Sequence, residues 1–268
     1  MIGQAGVIIG FFHQKRGRMT MQLAGKIAVI TGGSRGIGRA TALAFAREGA
    51  DIAFCHLDDA AQADTTAAEI AAMGRRVMHR NLDVADIGDG QRFIAESGQA
   101  LGPIDILFNN AGINIRKNFE DVTEDDFDRI VNVLFRGAFF IAQAAYKTML
   151  PRGAGIIIST ASQTGLKGQP GAVPYSAAKA AIIGFTRALA WEAAPRGIRV
   201  NAIAPGPVDT DLVRQNSPQW RAAFEARLPV GRFGTVDEIA ATALLLAGPQ
   251  GGFYCGATLS PNGGDVMH

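Results

Sequence analysis

Short, almost continuously apolar runs alternate with longer amphipathic stretches along most of the chain. The apolar runs are predicted to be strands, at 26–31, 51–55, 76–81, 104–109, 156–159, 199–204 and 257–260. The amphipathic stretches are predicted to be helices, at 36–48, 62–72, 87–101, 123–149, 175–194 and 236–247. Apolar strands separated by helices indicate a parallel sheet that is buried on both faces. With right-handed crossovers, the pattern predicts an α/β fold, a single-domain Rossmann-type doubly wound parallel sheet flanked by helices on both faces.

The length of 268 residues and the hydrophobic content of 48% suit one large domain. Nothing in the composition divides residues 23–268, so we predict that they form this domain. Within it, residues 208–234 show no strand pattern, and we predict that they form a mobile cap over the substrate. Residues 1–22 are predicted to be a disordered extension, because their basic cluster follows their apolar stretch, opposite to the order in a secretory signal.

The bulk composition argues against several classes of partner. A net charge of +2 gives no reason to expect a nucleic-acid ligand. No apolar run approaches the roughly 20 residues that a membrane helix needs, so no membrane partner is expected. The two cysteines form no disulfide framework, which is typical of a cytoplasmic protein. The four histidines show no metal-ligand spacing, so no metal site is expected.

A glycine-rich turn follows the first predicted strand and opens the first predicted helix. It reads Thr31-Gly32-Gly33-Ser34-Arg35-Gly36-Ile37-Gly38. Gly36 and Gly38 let the backbone approach a pyrophosphate closely, and the helix N-terminus supplies N–H groups and a positive dipole end. Three residues rather than one separate Gly32 from Gly36, which differs from the ordinary dinucleotide fingerprint. The turn still predicts a dinucleotide site.

A tyrosine and a lysine share one face of a predicted helix. Tyr175 and Lys179 are four residues apart, which places their side chains side by side. A nearby ammonium lowers the pKa of a phenol, and Pro174 fits a helix start whose dipole acts in the same direction. Tyr175 could then donate a proton to a carbonyl oxygen, or accept one in the reverse reaction.

From Leu23 to Gly264 the chain resembles the short-chain dehydrogenase/reductase family. The residues that carry the resemblance are the long glycine turn, Asp83, Asn109-Asn110-Ala111-Gly112, Tyr175-Ser176-Ala177-Ala178-Lys179 and Pro205-Gly206. The resemblance implies an oxidoreductase that moves a hydride between nicotinamide and the carbon of a small carbonyl or alcohol substrate. It also implies a homotetramer or homodimer, for which the apolar residues Phe139, Phe140, Ile141, Ile182, Ile183 and Phe185 could form interfaces or could equally be core.

The resemblance also assigns roles to individual residues. Ser162, Tyr175 and Lys179 would be catalytic, with Ser162 at the usual thirteen residues before Tyr175 and Ser159 a weaker candidate inside a strand. Asp83 and Val84 would meet the adenine, and Pro205 and its neighbours would hold the nicotinamide end. The predicted cofactor-binding residues are Gly32, Ser34, Arg35, Gly36, Ile37, Gly38, His56, Asp83, Val84, Asn110, Ala111, Gly112, Tyr175, Lys179, Pro205, Gly206, Val208 and Thr210.

The end of the second predicted strand bears on the choice of dinucleotide. Members of the family that prefer NAD usually carry an acid there, whereas this chain has His56. Arg35, in the glycine turn, is well placed to pair with a 2′-phosphate. The sequence therefore favours NADP(H) over NAD(H), with NAD(H) still possible. The alternative is that Arg35 is a solvated surface residue and that Asp58 or Asp59 reaches the ribose.

Two positions depart from the family pattern. The family commonly has an asparagine three residues before a glycine in the long helix, but Leu134 precedes Gly137 here, and Asn132 lies two residues earlier. We expect the backbone carbonyl of Leu134 to preserve a proton relay, and we expect a loss of the side-chain bonding that supports a local helix distortion. Asn262 replaces a frequent aspartate near the C-terminus, where it can still make turn hydrogen bonds.

The sequence constrains the substrate less than it constrains the fold or the cofactor. The predicted pocket residues are mostly apolar or neutral, with Arg214 a possible anion contact, and they comprise Gln163, Thr164, Leu166, residues 169–173 and the cap. This composition favours an NADPH-dependent ketoreductase of 3-oxoacyl type. The stretch 112–117 also resembles sugar-acid and polyol dehydrogenases. A non-catalytic dinucleotide sensor is the alternative of a different class, supported only by Leu134.

Overall fold

The computed structural model describes residues 21–214 and 217–267. The predicted disordered extension therefore lies outside the described residues, except for Met21 and Gln22. The backbone N–H of Gln22 donates to Glu48 Oε2 at 2.8 Å, so this residue is bonded to the domain. Within the described residues, no helix has both the length and the apolar character needed to cross a lipid bilayer.

The described chain alternates strands with helices, as the sequence pattern predicts. The strands are β1 (Ile27–Thr31), β2 (Asp51–His56), β3 (Val77–Asn81), β4 (Ile106–Asn109), β5 (Gly155–Thr160), β6 (Ile198–Ile203) and β7 (Thr258–Leu259). The helices are α1 (Gly36–Arg47), α2 (Ala60–Ala72), α3 (Ile87–Leu101), α4 (Glu124–Val131), α5 (Ala138–Met149), α6 (Thr164–Lys167), α7 (Val173–Ala193), α8 (Asp211–Arg214), α9 (Pro218–Glu225) and α10 (Val236–Ala247).

All seven strands pair in parallel, in the order β3-β2-β1-β4-β5-β6-β7. The strand order reverses direction between β1 and β4, which are neighbours although β2 and β3 separate them in sequence. In a doubly wound sheet, ligands bind outside the carboxyl ends of the strands at such a switch point. This confirms the predicted fold class. It also predicts a ligand site at the loops after β1 and β4.

The sheet is buried on both faces, as its apolar strands predict. One face packs against α1 and α10 around fully buried rings that include Phe45, Phe54 and Phe108. The opposite face packs against α3, α5 and α7 and includes Phe93 and Leu107. Side chains alternate between faces along each strand, so consecutive residues of β4 serve different halves of the core.

The long helix predicted at 123–149 is interrupted. Helices α4 and α5 are joined by a π-helical turn at Asn132–Gly137 that contains Leu134. Leucine provides no side-chain hydrogen bond at this position, as expected, yet the local distortion is present. A Cβ on Gly137 would lie 2.3 Å from the Val84 carbonyl oxygen, so the wide turn brings bare backbone against the loop after β3.

The segment predicted to be a mobile cap contains more structure than its sequence indicates. It holds the two short helices α8 and α9, and a parallel bridge joins Val208 to Gly234. The Asp209 N–H donates to the Gly234 carbonyl at 2.8 Å, and the Gly234 N–H donates to the Pro207 carbonyl at 2.9 Å. These bonds close the base of the cap, while its mobility stays a prediction.

Three of the apolar residues considered for subunit contacts are core residues instead. Ile141, Ile182 and Ile183 are at most 5% exposed within the single chain. Phe139 and Phe185 are partly exposed and pack together with ring centroids 5.2 Å apart. An interface through α5 and α7 would therefore have to use these phenylalanines rather than the isoleucines.

The contact between Gly137 and Val84 predicts a large cost for a side chain at this position. We expect Gly137→Ala to lower the free energy of unfolding by about 2 kcal/mol or more, because the new methyl group overlaps backbone that cannot move freely. Gly98→Ala, in α3 where a Cβ meets nothing within 4 Å, should raise it by roughly 0.5–1 kcal/mol. Denaturant unfolding of the two variants checks this, and similar midpoints would contradict it.

Candidate active site

The glycine turn folds tightly over the end of β1. A Cβ on Gly38 would lie 2.0 Å from the Gly32 carbonyl oxygen, so only glycine fits there. Gly36 has a φ of +57°, a left-handed conformation that disfavours side chains. The turn thereby brings backbone to the start of α1 with no side chain in the way, as binding of a pyrophosphate requires.

Asn110 and Thr31 join the glycine turn to the loop after β4. The Thr31 hydroxyl accepts hydrogen bonds from the backbone N–H groups of Asn110, at 2.9 Å, and Ala111, at 3.0 Å. The Asn110 side-chain amide donates to the carbonyl of Thr31 at 3.2 Å, and that of Gly32 lies within 3.3 Å. Asn110 thus braces two adjacent strands.

A cavity of about 250 Å³ lies at the carboxyl end of β2, between the glycine turn and the loop after β3. It brings together nine residues predicted to bind cofactor, which are Gly32, Ser34, Arg35, His56, Asp83, Val84, Asn110, Ala111 and Gly112. Asp83 accepts the Ala85 N–H at 2.9 Å and forms an ion pair with Arg129 at 2.5 Å. The predicted adenosine end of the site is therefore one continuous cavity.

Asp59 lies against the residues expected to hold a 2′-phosphate. Its Oδ2 accepts a hydrogen bond from Ser34 Oγ at 2.8 Å and lies 3.7 Å from Arg35 Nε. Asp59 stands at the N-terminus of α2 but makes no capping hydrogen bond there. The sequence left open that Asp58 or Asp59 reaches the ribose. The contact of Asp59 with Ser34 and Arg35 gives this alternative a physical basis.

His56 is buried beside a second histidine. Its Nε2 lies 3.4 Å from Nδ1 of His79, whose own Nε2 lies 3.2 Å from Asp64. Burial, followed by the proximity of His79, lowers the pKa of His56. A neutral imidazole places no negative charge near a 2′-phosphate, in agreement with the prediction from sequence.

A second cavity, of about 190 Å³, lies at the carboxyl ends of β5 and β6 beneath the cap. Seven predicted site residues line it, which are Ile37, Ser162, Tyr175, Pro205, Gly206, Val208 and Thr210. Gln163, Thr164, Gln169 and Ala172 line it as predicted for the pocket, and the cap contributes Trp220, Phe224 and Phe233. The structure therefore places Ser162 and Tyr175 beneath an aromatic cap.

Ser162 and Tyr175 both line this cavity. Hydrogen bonding to Ser162 acts to lower the pKa of Tyr175, although the larger effect of burial raises it. Ser162 Oγ also accepts from the Thr164 N–H at 3.2 Å and lies 3.1 Å from the Thr164 hydroxyl. Ser159 is wholly buried inside β5 and does not line the cavity, so its position favours Ser162 as the candidate.

Lys179 is buried, with Nζ donating to the Thr160 carbonyl at 2.6 Å. Its Nζ lies 5.7 Å from the centroid of the Tyr175 ring. Burial lowers the pKa of Lys179 from an ordinary value of 10.5 to about 8. The expected lowering of the Tyr175 pKa by this lysine is not found, because burial raises that pKa and Ser162 and Arg116 are the groups that act against it.

Leu134 lies next to Lys179. It is 2% exposed and, together with Lys179 and Thr160, borders a small cavity of about 10 Å³. A cavity of this size is close to the minimum that holds one water molecule. The apolar side chain therefore leaves a gap beside Lys179 of the size that a relay through water requires.

Asn262 packs against the turn formed by Pro205 and Gly206. A Cβ on Gly206 would lie 2.4 Å from the Cα of Asn262, and the Pro205 carbonyl accepts the Gln163 N–H at 3.0 Å. Asn262 donates to Ser260 Oγ at 2.8 Å and accepts the Gly264 N–H at 2.8 Å. The asparagine thus makes the turn hydrogen bonds that were expected of it.

The positions of two arginines differ from what the sequence predicted. Arg214, considered as an anion contact, forms an ion pair with Asp209 at 3.1 Å and does not line the cavity, so that reading is wrong. Arg116 does line the cavity, and the sequence reasoning did not select it. Its only signal in the sequence is its place in the stretch 112–117. Among the described residues, no cluster of histidine, cysteine, aspartate or glutamate could hold a metal ion.

The doubly wound sheet, the glycine turn and the Ser162, Tyr175 and Lys179 group define a dinucleotide-dependent oxidoreductase. A family model described as enoyl-(acyl carrier protein) reductase matches residues 32–265. Solved structures of short-chain dehydrogenases superimpose closely, among them one from Burkholderia cenocepacia in complex with NADP, with a TM-score of 0.84 and 37% identity over 90% of this chain and 98% of that one. The chain belongs to the short-chain dehydrogenase/reductase family, which confirms the resemblance seen in its motifs.

Two curated relatives are similar over almost their full lengths. An acetoacetyl-CoA reductase from Allochromatium vinosum is 38% identical over 244 residues, which is 91% of this chain and 99% of the relative. The 3-oxoacyl-[acyl-carrier-protein] reductase FabG from Vibrio harveyi is 36% identical over 247 residues, which is 92% of this chain and 100% of the relative. Both relatives are named for reduction of a 3-oxoacyl thioester.

The depressed pKa of Lys179 makes a prediction about stability. Between about pH 8 and pH 10.5 the folded chain binds fewer protons at this lysine than the unfolded chain, so stability rises with pH there. Relative to Lys179→Met, the wild type should therefore gain about 1–2 kcal/mol between about pH 7.5 and pH 9.5. The exposed Lys147→Met variant should follow the wild type in denaturant unfolding. A wild-type difference from Lys179→Met that stays constant with pH would contradict the prediction.

Proposed function

We propose that this protein is an NADPH-dependent ketoreductase of 3-oxoacyl type. The observation that carries the proposal is that Ser162 and Tyr175 line one cavity, which is bordered by both the glycine-turn helix and the aromatic cap. The names of the two relatives support 3-oxoacyl substrates. A carbonyl oxygen placed between the two hydroxyls would be oriented by Ser162 and protonated by Tyr175.

The described residues fit a bound dinucleotide. The glycine turn offers backbone in a space that a Cβ on Gly38 would fill, and the cavities on its two sides contain residues predicted for the adenosine and nicotinamide ends. Arg35, Asp83 and Asn110 would hold the adenosine half, and Pro205, Val208 and Thr210 the nicotinamide half. The nicotinamide supplies or accepts the hydride. Lys179 would hold ribose hydroxyls and return protons to Tyr175 through the gap beside Leu134.

Other readings have less support. Oxidation of a sugar acid or polyol is favoured by one observation, the polar side chains Asn114, Arg116 and Gln163 among the residues that line the cavity. A non-catalytic sensor would need neither the bond between Ser162 and Tyr175 nor a buried Lys179. We also propose a cytoplasmic homotetramer or homodimer, as the family resemblance implies, with the partly exposed Phe139 and Phe185 in a contact.

The role of Tyr175 can be tested directly. The wild type should oxidise NADPH in the presence of acetoacetyl-CoA, and Tyr175→Phe should lower kcat by about 100-fold or more, because the proton donor is lost. Tyr146→Phe, which removes a buried hydroxyl on α5, is the matched control and should keep its activity. Crotonyl-CoA tests reduction of a C=C bond, for which the family model is named. Near-full turnover by Tyr175→Phe would remove it from the proton-transfer role.

The contact of Asp59 with Ser34 and Arg35 bears on the proposed preference for NADPH. A 2′-phosphate held by Arg35 would have to compete with this carboxylate. Asp59→Asn should therefore lower the Kd for NADPH by roughly threefold to tenfold and change the Kd for NADH by less than about twofold. Asp58→Asn removes the same charge one residue away, at a φ of +50° that asparagine tolerates, and should have a smaller effect.

Fluorescence titration with each reduced cofactor measures these constants. Equal gains for NADPH and NADH in Asp59→Asn would show that Asp59 does not discriminate between them. Tighter binding of NADH than NADPH by the wild type would overturn the proposed cofactor preference itself.

A further inference from the structure

The cavity under the cap carries one positive charge and no negative one. Among the described residues that line it, Arg116 has the only ionised side chain. The others are apolar groups, neutral amides and hydroxyls, together with Tyr175. A lone cation in a substrate cavity attracts a ligand of opposite charge, since its field is not cancelled locally.

Arg116 differs from Arg214, Arg221 and Lys117 in having no acidic partner. Arg214 and Arg221 both bind Asp209, at 3.1 and 2.8 Å, and Lys117 binds Asp126 at 2.6 Å. Within the described part of the chain, the Arg116 side chain forms neither an ion pair nor a hydrogen bond. All five of its N–H groups are therefore available to a ligand.

An aromatic contact directs Arg116 towards the cap. Its guanidinium carbon lies 5.8 Å from the centroid of the Trp220 ring, within the range of a cation–π interaction. Trp220 belongs to α9, and it packs against Phe224 and Phe233 with ring centroids 5.1 and 6.4 Å away. The guanidinium is thereby held at the boundary between the cap and the loop after β4.

The electrostatic effect of Arg116 reaches the reacting hydroxyl. Its positive charge acts to lower the pKa of Tyr175, against the larger effect of burial. A group bound by Arg116 would therefore belong to the same small molecule that places its carbonyl at Tyr175, or to a short extension of it.

The wall next to Arg116 also has unused hydrogen-bonding capacity. Asn114 Oδ1 and Gln163 Oε1 are buried and accept no hydrogen bond from the described residues. Both residues line the same cavity. Buried acceptors without a donor are costly, which indicates that a ligand or water supplies the donors when the site is filled.

We propose that Arg116 is a specificity-determining residue that binds an anionic group, a carboxylate or a phosphate, of the carbonyl substrate. The proposal rests on the proposed function, because it places this group on the molecule whose carbonyl meets Ser162 and Tyr175. Planar guanidinium groups bind both anions through paired hydrogen bonds. A carboxylate would come from an oxo acid, and a phosphate from the carrier portion of an acyl thioester.

Three ketones with the same 3-oxo group separate these sources. Acetoacetate carries a carboxylate, acetoacetyl-CoA carries phosphates, and ethyl acetoacetate carries no charge. Arg116→Gln should lower kcat/KM for an anionic substrate by roughly 10- to 100-fold, mainly through KM, and change that for the ester by less than about twofold. Arg214→Gln, which removes a cap arginine paired with Asp209, is the control and should leave all three within about twofold.

The pattern of losses identifies the anionic group that Arg116 binds. A loss confined to acetoacetate supports the proposal with a carboxylate as the ligand, and a loss confined to acetoacetyl-CoA supports it with a phosphate. An equal effect of Arg116→Gln on all three ketones, or no effect on any, overturns the proposal. Unfolding midpoints of both variants should match the wild type, which excludes a general loss of structure.

A binding measurement keeps the proposal distinct from the proposed function. In the presence of NADP⁺ a ketone cannot be reduced, so acetoacetate and ethyl acetoacetate can be titrated while Trp220 fluorescence is followed. Arg116→Gln should weaken acetoacetate at least about tenfold and leave the ester unchanged. If the wild type reduced no ketone, the ketoreductase assignment would fail, and this titration would still decide the anion site. Equal binding of acetoacetate by the wild type and by Arg116→Gln would overturn the proposed anion site.

Discussion

The site depends on a path of hydrogen bonds that crosses three adjacent strands at the carboxyl edge of the sheet. Thr31, at the end of β1, accepts the backbone N–H groups after β4, and the Asn110 amide returns a bond to the Thr31 carbonyl. The Asn110 side-chain oxygen lies 3.4 Å from the hydroxyl of Thr160 on β5, whose carbonyl accepts the Lys179 ammonium. The glycine turn and the helix that carries Tyr175 are thereby fixed relative to each other before any ligand binds. Preorganisation of this kind spares the reaction the cost of assembling its own site.

Burial of the chemical groups determines their protonation more strongly than their mutual proximity does. Removal from water disfavours charge, so it raises the pKa of Tyr175 and lowers that of Lys179. The ammonium is bonded to the Thr160 carbonyl rather than to the phenol. Two effects oppose burial at Tyr175, its hydrogen bond with Ser162 and the charge of Arg116. The ease of proton release from Tyr175 therefore depends on Ser162 and Arg116.

The sequence predicted those features that depend on local pattern, and it missed those that depend on long-range pairing. Strands buried on both faces appear as apolar runs, and the spacing of Ser162 and Tyr175 follows from the positions of β5 and α7. The π-helical turn could not be predicted in this way, because it depends on the approach of Gly137 to the Val84 carbonyl across the fold. The contact of Asp59 with Ser34 joins residues 25 positions apart, and a single sequence does not show whether an aspartate near a helix start caps its own helix or reaches elsewhere.

The arginines near the substrate cavity show the same limit and what it implies for recognition. Arg214 was considered because it lies in the cap, yet Asp209 forms ion pairs with both Arg214 and Arg221. Arg116, from the loop after β4, keeps its charge free beside the aromatic surface of Trp220. The cavity therefore has an apolar wall from the cap and a polar, cationic wall from the scaffold. A neutral ketone offers no charge to the second wall and gains nothing from the unpaired guanidinium. Because paired hydrogen bonds between a guanidinium and an anion are strong, the second wall favours molecules that place an anion there.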